Sequence, residues 1–278
     1  MTTPLAAGRR VFIAVVAVLA IVGSAAVAYA SHSWGSYHWA RTSNPFTLKL
    51  GDNVSVGWDQ YLRDASLDWS QSSVLDTVVV AGGTNPKNCK PTTGRVEVCN
   101  ASYGRTGWLG IAQIWVSGSH ITKGAAKMND TYFKMPSYNT AAWKRFVMCQ
   151  EIAHTFGLDH QDEDFSNANL GSCMDYTADP DGPPSNEHPN AHDFEQLELI
   201  YAHLDTFTTV AASVTTRARN ARADADIGEG DDWGQVERRD SKSRPSLYKR
   251  DLGRGEKVYT FVLWANGEED RAAPNKKN

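Results

Sequence analysis

The sequence predicts an α/β chain in which short strands form a sheet and helices pack against it. Two observations carry this. Alternating or β-branched apolar runs recur at 46–50, 76–81, 95–99 and 110–116, separated by glycine and polar residues. Apolar side chains also recur at helical spacing, in Trp58, Leu62, Ala65 and Trp69, and again in Trp143, Phe146, Val147 and Ile152. With 278 residues and 41% hydrophobic composition, the chain can bury a sizeable core, as one large domain or one domain with an appendage.

Taken in order, Arg9 and Arg10 precede an apolar run, Val11 to Ala30, that ends in Ala28-Tyr29-Ala30 before polar Ser31. Residues 1–30 therefore read as a secretory signal peptide. The run is also long enough to cross a bilayer, so an uncleaved N-terminal anchor is the alternative, and a membrane enters only in that case. Either way the remainder is exported, secreted or held at the cell surface. Residues 31–45 form a short aromatic-rich segment without cysteine. Phe46 to Leu50 alternates as a first strand, punctuated by Gly51-Asp52-Asn53, and the 58–69 helix contributes core tryptophans. Asp76 to Ala81 ends at Gly82-Gly83, and Arg95 to Cys99 alternates again, with a Pro- and Lys-containing loop between. Gly110 to Val116 and, after a loop carrying His120, Ala126 to Asp130 predict two more strands.

Thr140 is placed to cap a helix running into the 150s. Asp179 to Pro184 is a loop, and Asn190 with Asp193 three on predicts a capping box opening a helix through Phe194, Leu197, Ile200 and Leu204. Beyond Asp205, a Thr- and Ala-rich stretch gives way to mixed charge through about Glu256, the composition of a linker. Ser246 to Lys249 and Lys257 to Trp264, around Gly253 and Gly255, predict a hairpin. The division is thus 46–205 as the main domain and 206–278 as a linker with a small β-rich extension. A net charge of -4 and a pI near 6.1 give no electrostatic reason to expect nucleic acid.

Chemistry concentrates in Gln150-Glu151-Ile152-Ala153-His154-Thr155-Phe156-Gly157-Leu158-Asp159-His160. Residues four apart on a helix are roughly 40° from eclipsed, so Gln150 and His154 share a face with Glu151 beside them. Gly157 can take the positive φ that turns the chain sharply and returns His160 toward the same point. Three protein ligands suit zinc and leave a position for water, whose pKa falls to about 7 on binding; Glu151 is the candidate proton acceptor. Cys149, roughly 140° around the helix from His154, points elsewhere. His188 and His192 are further imidazoles that could complete the ligand set, and His120 is a weaker one.

The run resembles the zinc signature of the metzincin metallopeptidases, H-E-x-x-H-x-x-G-x-x-H, except that Gln150 stands at the first histidine. Ser172-Cys173-Met174-Asp175-Tyr176 is similar to the methionine turn that lies beneath the metal in that family. The resemblance implies an α+β zincin-like domain: a mixed twisted sheet with a backing helix and an active-site helix, above an irregular lower part holding the Met turn and a last helix. It implies zinc on Gln150, His154 and His160, with Glu151 as general base. Tyr176 is similar to the tyrosine that astacins and serralysins use as an extra zinc ligand and transition-state donor; packing under the cleft is the other reading of it. The strand at 110–116 resembles the matrixin edge strand that pairs with an extended polypeptide substrate. Gln113 stands where matrixins place a histidine for a structural metal, which argues against a second zinc there. With no thiolate in 31–45 to cap the metal, no inhibitory pro-segment is visible.

The four cysteines allow three pairings. Cys89 with Cys99 closes a local loop, and Cys149 with Cys173 ties the helix to the Met turn, each cysteine preceding a site residue. Zinc ligation by all four is the rival. The expected function is a secreted zinc metalloendopeptidase; the alternative is a catalytically silent binding or cell-envelope protein on the same fold. Asn53, Asn100 and Asn129 each open an N-x-S/T triplet.

Overall fold

Alternation decides the strands and their two faces. In β2 (Phe46–Asn53) Phe46, Leu48 and Leu50 are buried and Thr47 is exposed, the period-two pattern of a sheet with one face against helices. The computed structural model describes residues 31–210 and 233–268. The leader and much of the linker lie outside them. Among the described residues no helix is long and apolar enough to cross a membrane.

The other elements are β1 (His38–Trp39), α1 (Asp59–Trp69), β3 (Leu75–Ala81), β4 (Val96–Ala101), β5 (Trp108–Ser117), β6 (His120–Asn129), α2 (Asp130–Phe133), α3 (Ala141–His154), α4 (Ala191–Ile200), β7 (Gln235–Arg239), β8 (Pro245–Gly253) and β9 (Glu256–Trp264). The strands form one mixed sheet in the order β3-β2-β4-β6-β5-β9-β8-β7, with β1 pairing to β6. β2, β3, β4 and β6 run parallel, β1 is parallel to β6, and β5, β9, β8 and β7 continue antiparallel. The fold is a mixed α/β one with few helices.

Two expectations are corrected, and the N-x-S/T triplets are placed. The loop around His120 is a tight turn at Gly118, whose φ of 61° suits glycine. His120 therefore opens β6, which starts well before Ala126 and ends at Asn129, whose side chain caps α2 by accepting from the Thr131 amide. The last helix stops at Ile200 and not near Leu204, because the next carbonyl, that of Tyr201, accepts from Arg41 Nη2 at 2.7 Å and Asn44 Nδ2 at 2.9 Å. Asn53, Asn100 and Asn129 are buried, with their side-chain amides donating to Glu97, Asp130 and Gly104, so these triplets offer no acceptor for a glycan.

The C-terminal strands extend this sheet. β9 pairs along the whole of β5, from Trp108 opposite Trp264 to Ser117 opposite Glu256. Its alternate residues divide between two cores: Tyr259, Phe261 and Leu263 join the cluster beneath α1 and α3, while Val258, Val262 and Trp264 join Ile111 and Trp115 on the other face. The edge assigned by sequence to an extended substrate is occupied here by the chain itself.

Both disulfides are as expected, Cys89–Cys99 and Cys149–Cys173. The second fastens α3 to the Met turn, and Trp69 of α1 donates to the Cys149 carbonyl at 3.2 Å. It closes a separation of 24 residues, worth about 3 kcal/mol through the entropy removed from the unfolded chain. Replacing Cys149 and Cys173 together by alanine is expected to lower unfolding free energy by that order, measured by denaturant titration of the oxidised protein, with the Cys89–Cys99 bridge kept as internal control.

Candidate metal centre

Local sequence delivers the site residues. Thr140 accepts from the Trp143 amide and starts α3, whose 14 residues end at His154. Gly157 then turns the chain with φ of 99°. A Cβ there would lie 2.4 Å from the Tyr37 carbonyl, so the residue is glycine for conformation and for close approach alike. The N-terminal segment packs across this turn: Trp34 donates its amide to the Gly157 carbonyl, and the Asp159 amide donates to the His32 carbonyl at 2.5 Å.

The turn brings His154 and His160 together. His154 Nδ1 lies 2.9 Å from the Leu158 carbonyl, and His160 Nδ1 lies 2.7 Å from Glu163 Oε1. A carbonyl and a carboxylate only accept, so each Nδ1 carries the ring proton and each Nε2 presents a lone pair. The two Nε2 atoms face one another at 2.9 Å. Two nitrogens about 2.0–2.1 Å from one tetrahedral zinc lie about 3.3 Å apart, close to this spacing. Burial, and then the neighbouring His160, hold His154 well below the usual imidazole range, which keeps it neutral and competent as a ligand.

Gln150 and Glu151 are buried on the same helix. Gln150 Nε2 donates to the Cys173 carbonyl at 3.0 Å, which fixes the amide and leaves Oε1 buried with no hydrogen-bond partner. Neither oxygen of Glu151 has a partner, and burial alone pushes its carboxyl well above the ordinary value. Space for that carboxylate comes from Gly110 of β5, where a Cβ would sit 2.3 Å from Glu151 Oε1. Two convergent lone pairs fit a cation, and the helix that carries His154 also carries the unpartnered acceptors of Gln150 and Glu151.

The Met turn lies below. Met174 is fully buried, its amide donating to Ser172 Oγ, which donates in turn to Asp193 Oδ2 at 2.7 Å. Asp193 also completes the α4 capping box with Asn190, so one carboxylate holds both helix and turn. Tyr176 packs against His160 with ring centroids 4.4 Å apart, and its hydroxyl is 3.5 Å from the Val262 carbonyl. His188 pairs instead with Asp68 at 2.7 Å, and His192 packs tilted against His32 with centroids 4.7 Å apart, so neither completes this ligand set. Cys149 is in its disulfide.

No family model matches the chain. No curated protein matches it either. Among solved structures it is similar to high choriolytic enzyme 1, a hatching enzyme zinc-protease from the medaka fish Oryzias latipes, at 12% identity and a TM-score of 0.31, over 61% of this chain and 96% of that one.

Residues with no signal in the motif complete the surroundings. Glu163 orients His160; burial pushes its carboxyl up, but the His160 hydrogen bond and Arg238 hold it below the usual range. Arg238 of β7 binds Asp159 through both terminal nitrogens and approaches Glu163 Oε1 at 3.0 Å. Phe261 of β9 stacks on His154, with centroids 4.1 Å apart and planes within 9°. Glu163, three residues past His160, could have been suspected from nearness to the motif; Gly110, Arg238 and Phe261 come from distant segments.

Gly110→Ala is expected to displace the Glu151 carboxylate while leaving the histidines in place, lowering any hydrolytic rate without loss of bound zinc; rate and metal content on one preparation check it. Asp175 supplies a pH test. Burial raises its pKa from the ordinary 3.8 to about 6. The folded state therefore holds a proton that the unfolded chain releases, and this contribution to stability is full below pH 3.8 and lost as pH rises through about 6. Asp175→Asn should flatten the dependence of unfolding free energy on pH across that window, measured by denaturant melts.

Proposed function

We propose that the chain is an exported zinc-dependent endopeptidase. The observation that carries the reading is the pair of buried Nε2 lone pairs on His154 and His160, fixed by hydrogen bonds at both Nδ1 atoms and aimed at each other. His154, His160 and Gln150 Oε1 are the zinc ligands. When bound, zinc supplies a Lewis acid that polarises a scissile carbonyl and brings a water toward a pKa of about 7. Glu151 takes the proton from the attacking water and returns it to the leaving amine, so no covalent enzyme intermediate is required. Tyr176 is the donor toward the developing oxyanion. Met174 supports the ligands from below.

The two disulfides fit an oxidising compartment. Cleavage after Ala30 would release residues 31–278. The substrate on this reading is an extended polypeptide lying along β5 with its main chain paired to the strand.

A second reading is favoured by specific observations: Gln150 is a weaker zinc ligand than histidine, and β9 covers β5. On that reading the chain is a catalytically silent binding or cell-envelope protein.

The experiment that separates them is peptide hydrolysis by zinc-loaded chain against Glu151→Gln. Loss of roughly 10²–10⁴ in rate with zinc retained is expected. Equal, zinc-independent rates or no zinc uptake would sink the peptidase reading. Gln150→His is expected to tighten zinc binding, because an imidazole at 150 shares the helix face of His154. Chelator competition on wild type, Gln150→His and His154→Ala checks this; unchanged affinity in the first with weakened affinity in the last would remove Gln150 from the ligand set.

A further inference from the structure

A second group of imidazoles lies away from the motif. β1 pairs with β6 so that His38 sits opposite His120, and the chain after α4 brings His203 and Asp205 against them. His38 Nδ1 lies 2.8 Å from the Ser36 carbonyl, which only accepts, so its Nε2 presents a lone pair. That atom is 3.1 Å from His203 Nε2 and 3.4 Å from Asp205 Oδ2. Asp205 Oδ1 is 3.2 Å from His120 Nε2 and 3.8 Å from His203 Nε2. Arg41 fixes the carboxylate, its Nη1 at 3.1 Å and its amide at 3.2 Å from Oδ2.

We infer that His38, His203 and Asp205, with His120 beside the carboxylate, form a second zinc site. Three properties support it. The three ligand atoms lie within 4.8 Å of one another. His38 is oriented by a carbonyl and Asp205 by Arg41, as ligands usually are from behind. A cleft of about 460 Å³ borders His38 and His203 and gives an ion a way in. The site differs in place from the one excluded on β5, where Gln113 is bonded to Thr260. Its role would be to staple the N-terminal segment that packs on the Gly157 turn to the chain leaving α4.

The test is zinc content of the full chain by mass spectrometry. Two equivalents are expected in wild type, one in His203→Ala and one in His154→Ala. One equivalent in wild type that His203→Ala retains and His154→Ala loses, or two retained in both His203→Ala and His38→Ala, overturns the site. Should the alanine variants fail to fold, nitrogen NMR of the wild-type imidazoles decides: Nε2 of His38 and His203 should shift on adding zinc to the metal-free chain, and unmoved resonances overturn the proposal.

A separate observation carries a second inference, which rests on the peptidase reading. The geometry points to β7–β9 as a built-in occupant of the substrate edge. β9 runs antiparallel along the whole of β5, Phe261 covers His154, and the Val262 carbonyl meets the Tyr176 hydroxyl. The hairpin is latched by charge and hydrogen bonds next to the ligands: Arg238 holds Asp159 and Glu163, and Ser246 Oγ donates to Glu163 Oε2 at 3.0 Å. A peptide taking the same edge must displace β9, so the described state is latent.

Full-length Phe261→Ala/Arg238→Ala, loaded with zinc, is expected to hydrolyse peptide at least about tenfold faster than wild type and to bind a peptide hydroxamate more tightly, because a larger fraction of chains is open. Equal rate and equal hydroxamate affinity in a folded, zinc-loaded variant overturn the latent state. Absence of zinc from the His154 centre in wild type fails the peptidase reading instead. If the variant does not fold, hydrogen exchange on wild type decides: β9 amides should lose protection when the hydroxamate binds, and retained protection or no binding by the zinc-loaded chain overturns the proposal.

Discussion

Two imidazole lone pairs facing each other at 2.9 Å in a dry interior repel unless a positive charge lies between them. Everything around the centre serves to hold that unfavourable pair in place. α3 carries His154 on a helix whose start is capped by Thr140 and whose face is braced by the Cys149–Cys173 bridge. Gly157 returns the chain because no other residue fits under the Tyr37 carbonyl at that φ. Each ring is then locked by its own Nδ1 acceptor. A cation bound between such groups in the folded state alone would add its binding free energy to stability.

The sheet contributes by what it lacks as much as by what it packs. Gly110 on β5 leaves the space in which the Glu151 carboxylate lies against the strand, since a Cβ there would sit 2.3 Å from Oε1. The parallel half, β3-β2-β4-β6, buries its strands beneath α1 and α3 and is the rigid support. The antiparallel half begins with β5, and its pairing with β9 gives Phe261 and Val262 their positions over the centre.

Much of this was legible in the sequence because it is local. Helix spacing, the cap at Thr140, the capping box at Asn190 and Asp193, and the motif from Gln150 to His160 all act within one or two turns of chain, and both disulfides followed from where the cysteines stand. What was not legible is what depends on distant pairing. His120 appears as loop when Gly118 is not recognised as a two-strand turn, and its nearness to His38 exists only because β1 lies parallel to β6. The hairpin at 245–264 was readable as strands, but nothing in its alternation says which edge it joins. Complementarity with β5 emerges only when both strands split their side chains between the same two cores. Arg238, in a mixed-charge stretch, reads as a solvated side chain until Asp159 and Glu163 are seen beneath it.

That arginine also joins the covered edge to the electrostatics of the centre. Asp159 and Glu163 place two carboxylates beside His160, and in a site screened from water such charges need a partner. In the closed arrangement Arg238 supplies it, and the carboxylates raise its pKa further above an already high ordinary value despite its burial. Glu163 is thereby shared: one oxygen meets both His160 and Arg238, the other accepts from Ser246. An imidazole whose Nδ1 proton is drawn toward an unshared carboxylate is a more basic ligand than one whose carboxylate is already neutralised. The same three strands thus cover β5 and share the charge of Glu163 between His160 and Arg238.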